Sequence, residues 1–416
     1  MREMRDSGVE WIGEIPKDWN CCKQKYRFTL INGRAFKDNE FEEDGTYRIL
    51  RVGNLFSNPV WYSSSLELEP DKYCEKGDLI YAWSMSYGPY IWNEEKVIYH
   101  YHIWKTKLVS DMDKMFSYYY LQALTESIKS QTHETTMGFV TMGIMNNSYI
   151  AYPRNIKEQK KISDYLDAKC SKIDEIIEKQ LSIIEKLKEY KFSIINEAVT
   201  QGINPDVNMK QSGYKWIGNI PKHWNMVYAK QLFSQRKDRA FEDDEQLTAS
   251  QKYGIISQKE FMDIEGRQVM QVLKGEEILK HVEKGDFVIS MRSFQGGLEY
   301  SEVSGKISSA YVMLIPNRDK VYDRYYKWLF KSKKYISALQ GTSNLIRDGQ
   351  ALRFSNFVQV YLPSLDLDEQ KQIADYLDDI CPKIDNEIEK REKLLGKVME
   401  YKKSLIYEVV TGKKEV

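Results

Sequence analysis

Several stretches of this chain carry residue types with a chemistry of their own. Pro70-Asp71 followed by Glu94-Glu95-Lys96 has the order of the carboxylates and lysine with which nucleases hold Mg²⁺ and activate water. His100 and His102, two apart in an aromatic and β-branched run, would share one face of a strand and offer two imidazoles to a metal. Each has a plainer explanation. Charged residues make up 29% of the chain, so a loose Asp…Glu-x-Lys spacing arises easily. The two imidazoles have no third ligand nearby, which favours a structural role. Cys21, Cys22, Cys74, Cys170 and Cys381 form an odd set without C-x-x-C spacing and read as reduced thiols. A phosphate loop of the form G-x-x-x-x-G-K-[ST] is missing, as are Asn-Pro-Pro-Tyr or Asp-Pro-Pro-Tyr and a glycine-rich S-adenosylmethionine loop. Motor and methyl-transfer chemistry are thereby excluded from this chain.

The elements that would position any such residue occur twice. EQKKISDYLDAKCSKID at Glu158–Asp174 returns as EQKQIADYLDDICPKID at Glu369–Asp385. Both copies continue into apolar stripes spaced by three and four: Ile173, Ile177, Ile184, Leu187, Ile194 and Ala198, then Ile384, Ile388, Leu395, Val398, Leu405 and Val409. That spacing predicts two long helices, each starting after a proline-marked strand end (Pro153, Pro363) and fading at Thr200-Gln201-Gly202 or Thr411-Gly412. At roughly 1.5 Å per residue each is a rod of the order of 60 Å. One seam on so long a rod cannot be buried alone, and the other copy is the obvious partner.

The duplication extends beyond the helices. Trp11-Ile12-Gly13-Glu14-Ile15-Pro16-Lys17-Asp18-Trp19 recurs as Trp216-Ile217-Gly218-Asn219-Ile220-Pro221-Lys222-His223-Trp224, and Glu75-Lys76-Gly77-Asp78 recurs as Glu283-Lys284-Gly285-Asp286. Trp11, Ile15 and Trp19 read as a packing staple, and Tyr165 and Tyr376 on the helices as buried packing residues. Dense aromatic and β-branched text predicts strands over 47–53, 77–83, 97–104 and 145–152, with a helix over 115–129. The second half repeats this order with strands over 284–291, 310–315 and 358–362 and a helix over 323–339. The expected fold class is α+β: two similar mixed α/β domains separated by two long antiparallel helices in pseudo-two-fold relation. The domain bounds are 1–155 for the first, 156–202 for the central helix, 203–365 for a linker and the second domain, and 366–416 for the C-terminal helix.

Two globules, each opened by W-I-G-x-I-P-K-x-W and closed by an E-Q-x-x-I-x-x-Y-L-D helix, resemble the specificity subunit of a type I restriction-modification system. The resemblance covers nearly the whole chain. It implies two target recognition domains, each reading one half of a split sequence in double-stranded DNA, with helices that space them and dock two copies of the modification methyltransferase subunit. It also implies a restriction and translocase subunit in the full complex, with S-adenosylmethionine, ATP and Mg²⁺ on those partners and no cofactor here. Two domains on a rigid helix pair would contact half-sites about one helical turn apart, roughly 34 Å.

Candidate DNA contacts follow from loop position and side-chain type. Loops after the Gly-Asp strands carry Ser84, Met85, Ser86 and Tyr87 in the first half and Arg292, Ser293 and Gln295 in the second. Arg and Gln suit guanine and adenine edges. Thr135 and Thr136, with Thr342, Ser343 and Asn344, lie in matching loops before the closing strands. Arg34, Lys37, Arg48 and Arg51, with Arg236, Lys237 and Arg239, are candidates for phosphate contacts. With 61 basic and 61 acidic residues there is no net charge, so affinity for phosphate must come from local patches or from partners. Neither a signal peptide nor a membrane-length apolar run is present, so a cytoplasmic protein is expected. The competing readings are a self-sufficient Mg²⁺-dependent endonuclease using Asp71, Glu94 and Lys96, and a helical scaffold without DNA contact.

Overall fold

The computed structural model describes residues 2–56, 58–84, 86–131, 139–266, 278–342 and 352–416. The chain divides into two units, residues 1–181 with 393–416, and residues 182–392. Each unit holds one globule and one end of each long helix.

In the first unit a hairpin, Met4–Asp6 with Glu14–Pro16, leads into Asn20–Lys23, which pairs with Tyr149–Tyr152 at the other end of the globule. Between them lies a four-stranded antiparallel sheet in the order Phe28–Asn32, Ile103–Leu108, Leu79–Ala82, Gly88–Ile91. The helix Lys114–Gln131 contributes Phe116, Tyr120 and Leu124 to the core that this sheet shares with Ile15 and Trp19. A second sheet, Tyr62–Ser64, Tyr47–Leu50, Val97–Tyr99, Tyr73–Cys74, has a parallel middle pair, and Leu50, Cys74, Val97 and Tyr99 lie in a smaller core of their own. The five thiols are unpaired.

The second unit repeats the frame. Met209–Gln211 pairs with Asn219–Pro221, and Asn225–Val227 with Leu362–Ser364. The main sheet runs Phe233–Arg236, Val312–Pro316, Phe287–Ile289, Glu299–Tyr300. The second sheet of the first unit is replaced by separate pairs, Leu247–Ser250 with Gly254–Ser257 and Lys280–Val282 with Gly305–Ile307.

The central helix is Ile156–Gln201 and the C-terminal helix is Leu367–Val410. Their predicted stripes are buried or half-buried while most residues between them face solvent. In the first unit Ile162, Leu166, Cys170 and Ile173 share one core with Leu405, Ile406, Val409 and Val410, and Lys402 reaches Asp174 at 2.6 Å. In the second, Lys188 pairs with Glu392 at 3.0 Å and Lys191 with Asp385 at 2.6 Å. One number rises as the other falls, so the helices pair antiparallel. Exposed pairs of this kind contribute about 0–1 kcal/mol each, so the apolar seam holds the helices and the ion pairs select their register.

The duplicated motifs are the joints between globule and helix. Trp19 and Trp224, both buried, donate their indole N–H to Glu158 at 3.2 Å and Glu369 at 2.9 Å. The adjacent glutamines have no exposed surface. Gln159 donates to the carbonyls of Pro153 and Asp111 and accepts from the Asp113 N–H; Gln370 donates to Leu365 and Lys320 and accepts from Tyr322. The aspartate of each Y-L-D takes a hydrogen bond from the internal helix, Asp167 from Tyr119 at 2.7 Å and Asp378 from Trp328 at 2.8 Å. At the far ends Gly412 and Gly202 have φ of +76° and +80°. A Cβ on Gly412 would stand 2.4 Å from Pro16, which is why the helix ends in glycine where it meets the tryptophan motif.

Several expectations are corrected. Val97–Trp104 is not one strand: it breaks at a turn over His100–His102, because Val97–Tyr99 and Ile103–Leu108 serve different sheets. The strand expected over 145–152 starts at Tyr149, after a short helix Met142–Asn147 capped by Thr141. The helix expected over 323–339 is two, Asp323–Lys331 and Lys333–Gln340, divided at Ser332, whose hydroxyl caps the second. The strand expected over 358–362 is Leu362–Ser364. Tyr165 packs half-buried against the core, whereas Tyr376 is 39% exposed. Among the described residues no helix is long and apolar enough to cross a membrane.

Candidate nucleic-acid interface

The two Gly-Asp motifs build matching turns ahead of Leu79–Ala82 and Phe287–Ile289 in the two main sheets. Gly77 and Gly285 take φ of +90° and +98°, and Asp78 and Asp286 accept from the backbone N–H of Glu75 and Glu283 at 2.8 and 3.0 Å. Each aspartate also holds a cation, Lys105 at 2.7 Å and Arg236 at 2.5 Å. Arg236 is therefore a counter-ion for a carboxylate that is 2% exposed, and it bonds Asp238 as well, so its guanidinium is committed to the fold. The chain leaves these strands after Ala82 and Ile289, at one end of each sheet.

The structure sorts the other candidates. Arg34 donates two guanidinium N–H groups to the two carboxylate oxygens of Glu40 at 2.6 and 3.0 Å, and Arg48 is paired with Glu94 and Glu95 while lying over Trp61, so both are held. Lys37, Arg51, Lys237 and Arg239 are exposed and carry no ion pair with another described residue. Ser84 is half-buried and bridged to Phe139, Ser86 is exposed, and Tyr87 packs half-buried under Lys129. In the second unit Arg292 and Gln295 are exposed on a short turn of helix, Ser293–Gly296. Ser293 is fully buried and its hydroxyl accepts from the Ser290 N–H, so it shapes this turn instead of presenting itself to DNA. Thr342 spends its hydroxyl on the Leu339 carbonyl. Thr135, Thr136, Ser343 and Asn344, with Met85, lie outside the described residues.

The nuclease-like set does not assemble. Glu94 is bound to Arg48, Lys96 reaches Glu75 at 3.4 Å and lies over Tyr73, and Asp71 contributes its backbone carbonyl to the Tyr99 hydroxyl. Among the described residues no three His, Cys, Asp or Glu side chains gather as metal ligands. His100 and His102 sit on the turn between strands, 4.8 Å apart between ring centres, with Tyr101 between them and Trp83 beside them. Burial, then the neighbouring His102 and Arg51, push His100 down to about 4; burial and Arg51 lower His102 too. The two-residue spacing predicts a shared strand face, which the turn at Tyr101-His102 removes.

The family model for the type I restriction modification DNA specificity domain matches residues 16–186 and again residues 221–395. The chain belongs to that family. The specificity subunit of the MjaVIII type I restriction enzyme of Methanocaldococcus jannaschii is 25% identical over 322 residues, covering 73% of this chain and 70% of that one. The EcoBI specificity subunit of Escherichia coli is 18% identical over 444 residues, covering 99% and 89%. A solved structure, described as the structural basis of complex assembly and conformational transition of the type I R-M system, covers 96% of this chain and 99% of its own at a TM-score of 0.68 and 13% identity. That last likeness is one of fold. As a member of the specificity family the chain recognises DNA and is not a catalyst, and its setting is a restriction-modification complex. The endonuclease reading is set aside, both by the family and by the dispersed Asp71, Glu94 and Lys96.

Proposed function

We propose that the two globules, 1–155 and the one within 203–365, read the two unlike halves of a split DNA target. The paired long helices set the length of the unread spacer, and each end of the pair seats one copy of the modification methyltransferase. The restriction and translocase subunit joins this assembly in the cytoplasm, and S-adenosylmethionine, ATP and Mg²⁺ act on the partners. The observation that carries the reading is a frame repeated bond for bond, Trp19 and Trp224 on Glu158 and Glu369, Gln159 and Gln370 in the same three hydrogen bonds, with unlike side chains at the sheet corners. Readers built alike and tipped differently suit an asymmetric target. Tyr190 and Tyr401 stand at the same place in the two Glu-Tyr-Lys repeats and are each 55% exposed, which supports one kind of partner docking twice.

Removing seven residues from the middle of each helix keeps the seam nearly in phase and shortens each rod by about 10 Å, close to three base pairs. Methylation mapping with the modification partner should then give a spacer shortened by about three base pairs, or no methylation, with half-site letters unchanged. Retention of the original spacer would sink the proposal.

A further inference from the structure

Strands Leu79–Ala82 and Ile103–Leu108 are antiparallel neighbours whose last register pair is Ala82 with Ile103. The residues just beyond therefore stay together. Trp83 N–H donates to the His102 carbonyl at 3.1 Å, and its indole N–H to the Tyr101 carbonyl at 2.7 Å. The rings of Trp83 and His102 are 4.9 Å apart, and those of Tyr101 and His102 4.1 Å. Behind them Trp83 stacks on Trp104 at 5.9 Å and Trp104 on Tyr81 at 5.8 Å, so a column of rings rises from the core to this corner and fixes it. At its top Tyr101 is 39% exposed, and Arg51 is exposed nearby. One exposed ring set on half-buried ones, beside an exposed cation, marks a binding surface.

The second unit shows what is constant at this corner and what is not. Tyr81 pairs with Trp104 as Ile289 pairs with Val312, each the third residue after its motif aspartate. Met291 thus stands in the place of Trp83, and Ala310, also exposed, in the place of His102. The frame repeats while the corner changes from rings and imidazoles to small and flexible side chains.

We propose that the corner made by Trp83 and His100-Tyr101-His102 is the base-reading element of the first globule, a role that rests on the two-reader function proposed above. The imidazole N–H groups donate to the N7 or O6 acceptors of a guanine, and the exposed ring of Tyr101 lies against a thymine methyl in the same groove. Burial favours the neutral form of both imidazoles, and because Nδ1 of His100 accepts the His102 backbone N–H at 3.5 Å, its Nε2 carries the N–H, so the pair offers donors to base acceptors instead of a charge to phosphate.

The test uses the chain assembled with its modification partner and duplexes in which each base pair of the mapped target is replaced in turn. His102→Ala should relax discrimination at one pair of one half-site by about 5- to 150-fold. Tyr101→Ala should relax an adjacent pair while Tyr101→Phe stays close to the parent, and the other half-site should be untouched. In the converse variant Ala310→His should alter preference in the other half-site alone. The inference is overturned if these variants keep every preference of the parent, or if they slow methylation equally on all sequences with loss of assembly, the sign of a protein-docking surface. Should the parent complex itself show no split-site preference, the proposed function fails; parental preference with indifferent variants removes this inference only.

Discussion

Replacing Gln370 by leucine, a side chain of similar volume, should disable the joint between the second globule and its helix. The Gln370 amide donates to the carbonyls of Lys320 and Leu365 at 2.8 and 2.9 Å and accepts from the Tyr322 N–H at 2.8 Å, with no surface exposed. Leucine strands all three backbone groups. Each unmade buried bond costs about 1–3 kcal/mol, so a partly relaxed site should lose about 3–6 kcal/mol. For a unit of this size that lowers the melting temperature by about 6–24 °C. Gln159→Leu should act alike in the first unit, where the three bonds are 2.8–3.0 Å. Gln370→Glu separates hydrogen bonding from volume: its carboxylate can still accept from Tyr322 but faces two carbonyl oxygens. Those oxygens raise its proton affinity, so the loss should grow as pH rises from 5 to 8. Urea titrations give the free energy, and hydrogen exchange of 111–131 against 320–340 identifies the unit. A loss below about 1 kcal/mol for either leucine variant would refute the joint.

Other outcomes follow from the same bonds. Arg236→Ala leaves buried Asp286 without its cation and should cost about 3–5 kcal/mol in urea titrations while base preference stays as it was. Lys237→Ala or Arg239→Ala should instead leave stability within about 0.5 kcal/mol and reduce the salt dependence of DNA binding by about 0.9 per lost phosphate contact, measured by titration at several salt concentrations. His281 is drawn down by burial, but Asp244 at 2.8 Å and Glu283 at 3.1 Å outweigh this and hold its pKa above the usual imidazole value. A raised folded-state pKa adds stability that is present below the unfolded value, about 6.5, and lost as pH climbs through the folded one. The second unit should accordingly weaken from pH 6 to 9 in urea titrations, and His281→Gln should flatten that slope.

The repeats were legible in the sequence because joints need particular atoms. A carboxylate for the indole N–H and a side-chain amide for the three-way backbone clasp are needed at successive helix positions, so Glu158-Gln159 and Glu369-Gln370 reappear with Trp19 and Trp224. The helix pair was legible for a similar reason, since a long stripe such as Ile173 to Ala198 must be covered. Turn positions were not: nothing local in Val97–Trp104 says that its first half serves one sheet and its second half another, because both halves are equally apolar. Site residues were the least legible. Arg236 and Ser293 have the side chains of DNA contacts, yet Asp286 and the Ser290 N–H, both distant in kind from any motif for DNA, claim them. Charge and polarity predict a solvent-facing role only until the partner that the fold supplies is known.

The central claim, that each globule reads its own half of the target, is tested most directly by exchanging residues 20–150 for the matching segment of another family member and mapping methylated bases in cells carrying the modification partner. Trp19, Gln159 and both helices remain in place, and the Gln159 bonds to Asp111 and Asp113 go to backbone groups that the donor segment also supplies. The account predicts that one half-site changes to that of the donor while the other half and the spacer persist. An unchanged methylation pattern, or a change in both halves together, would contradict it.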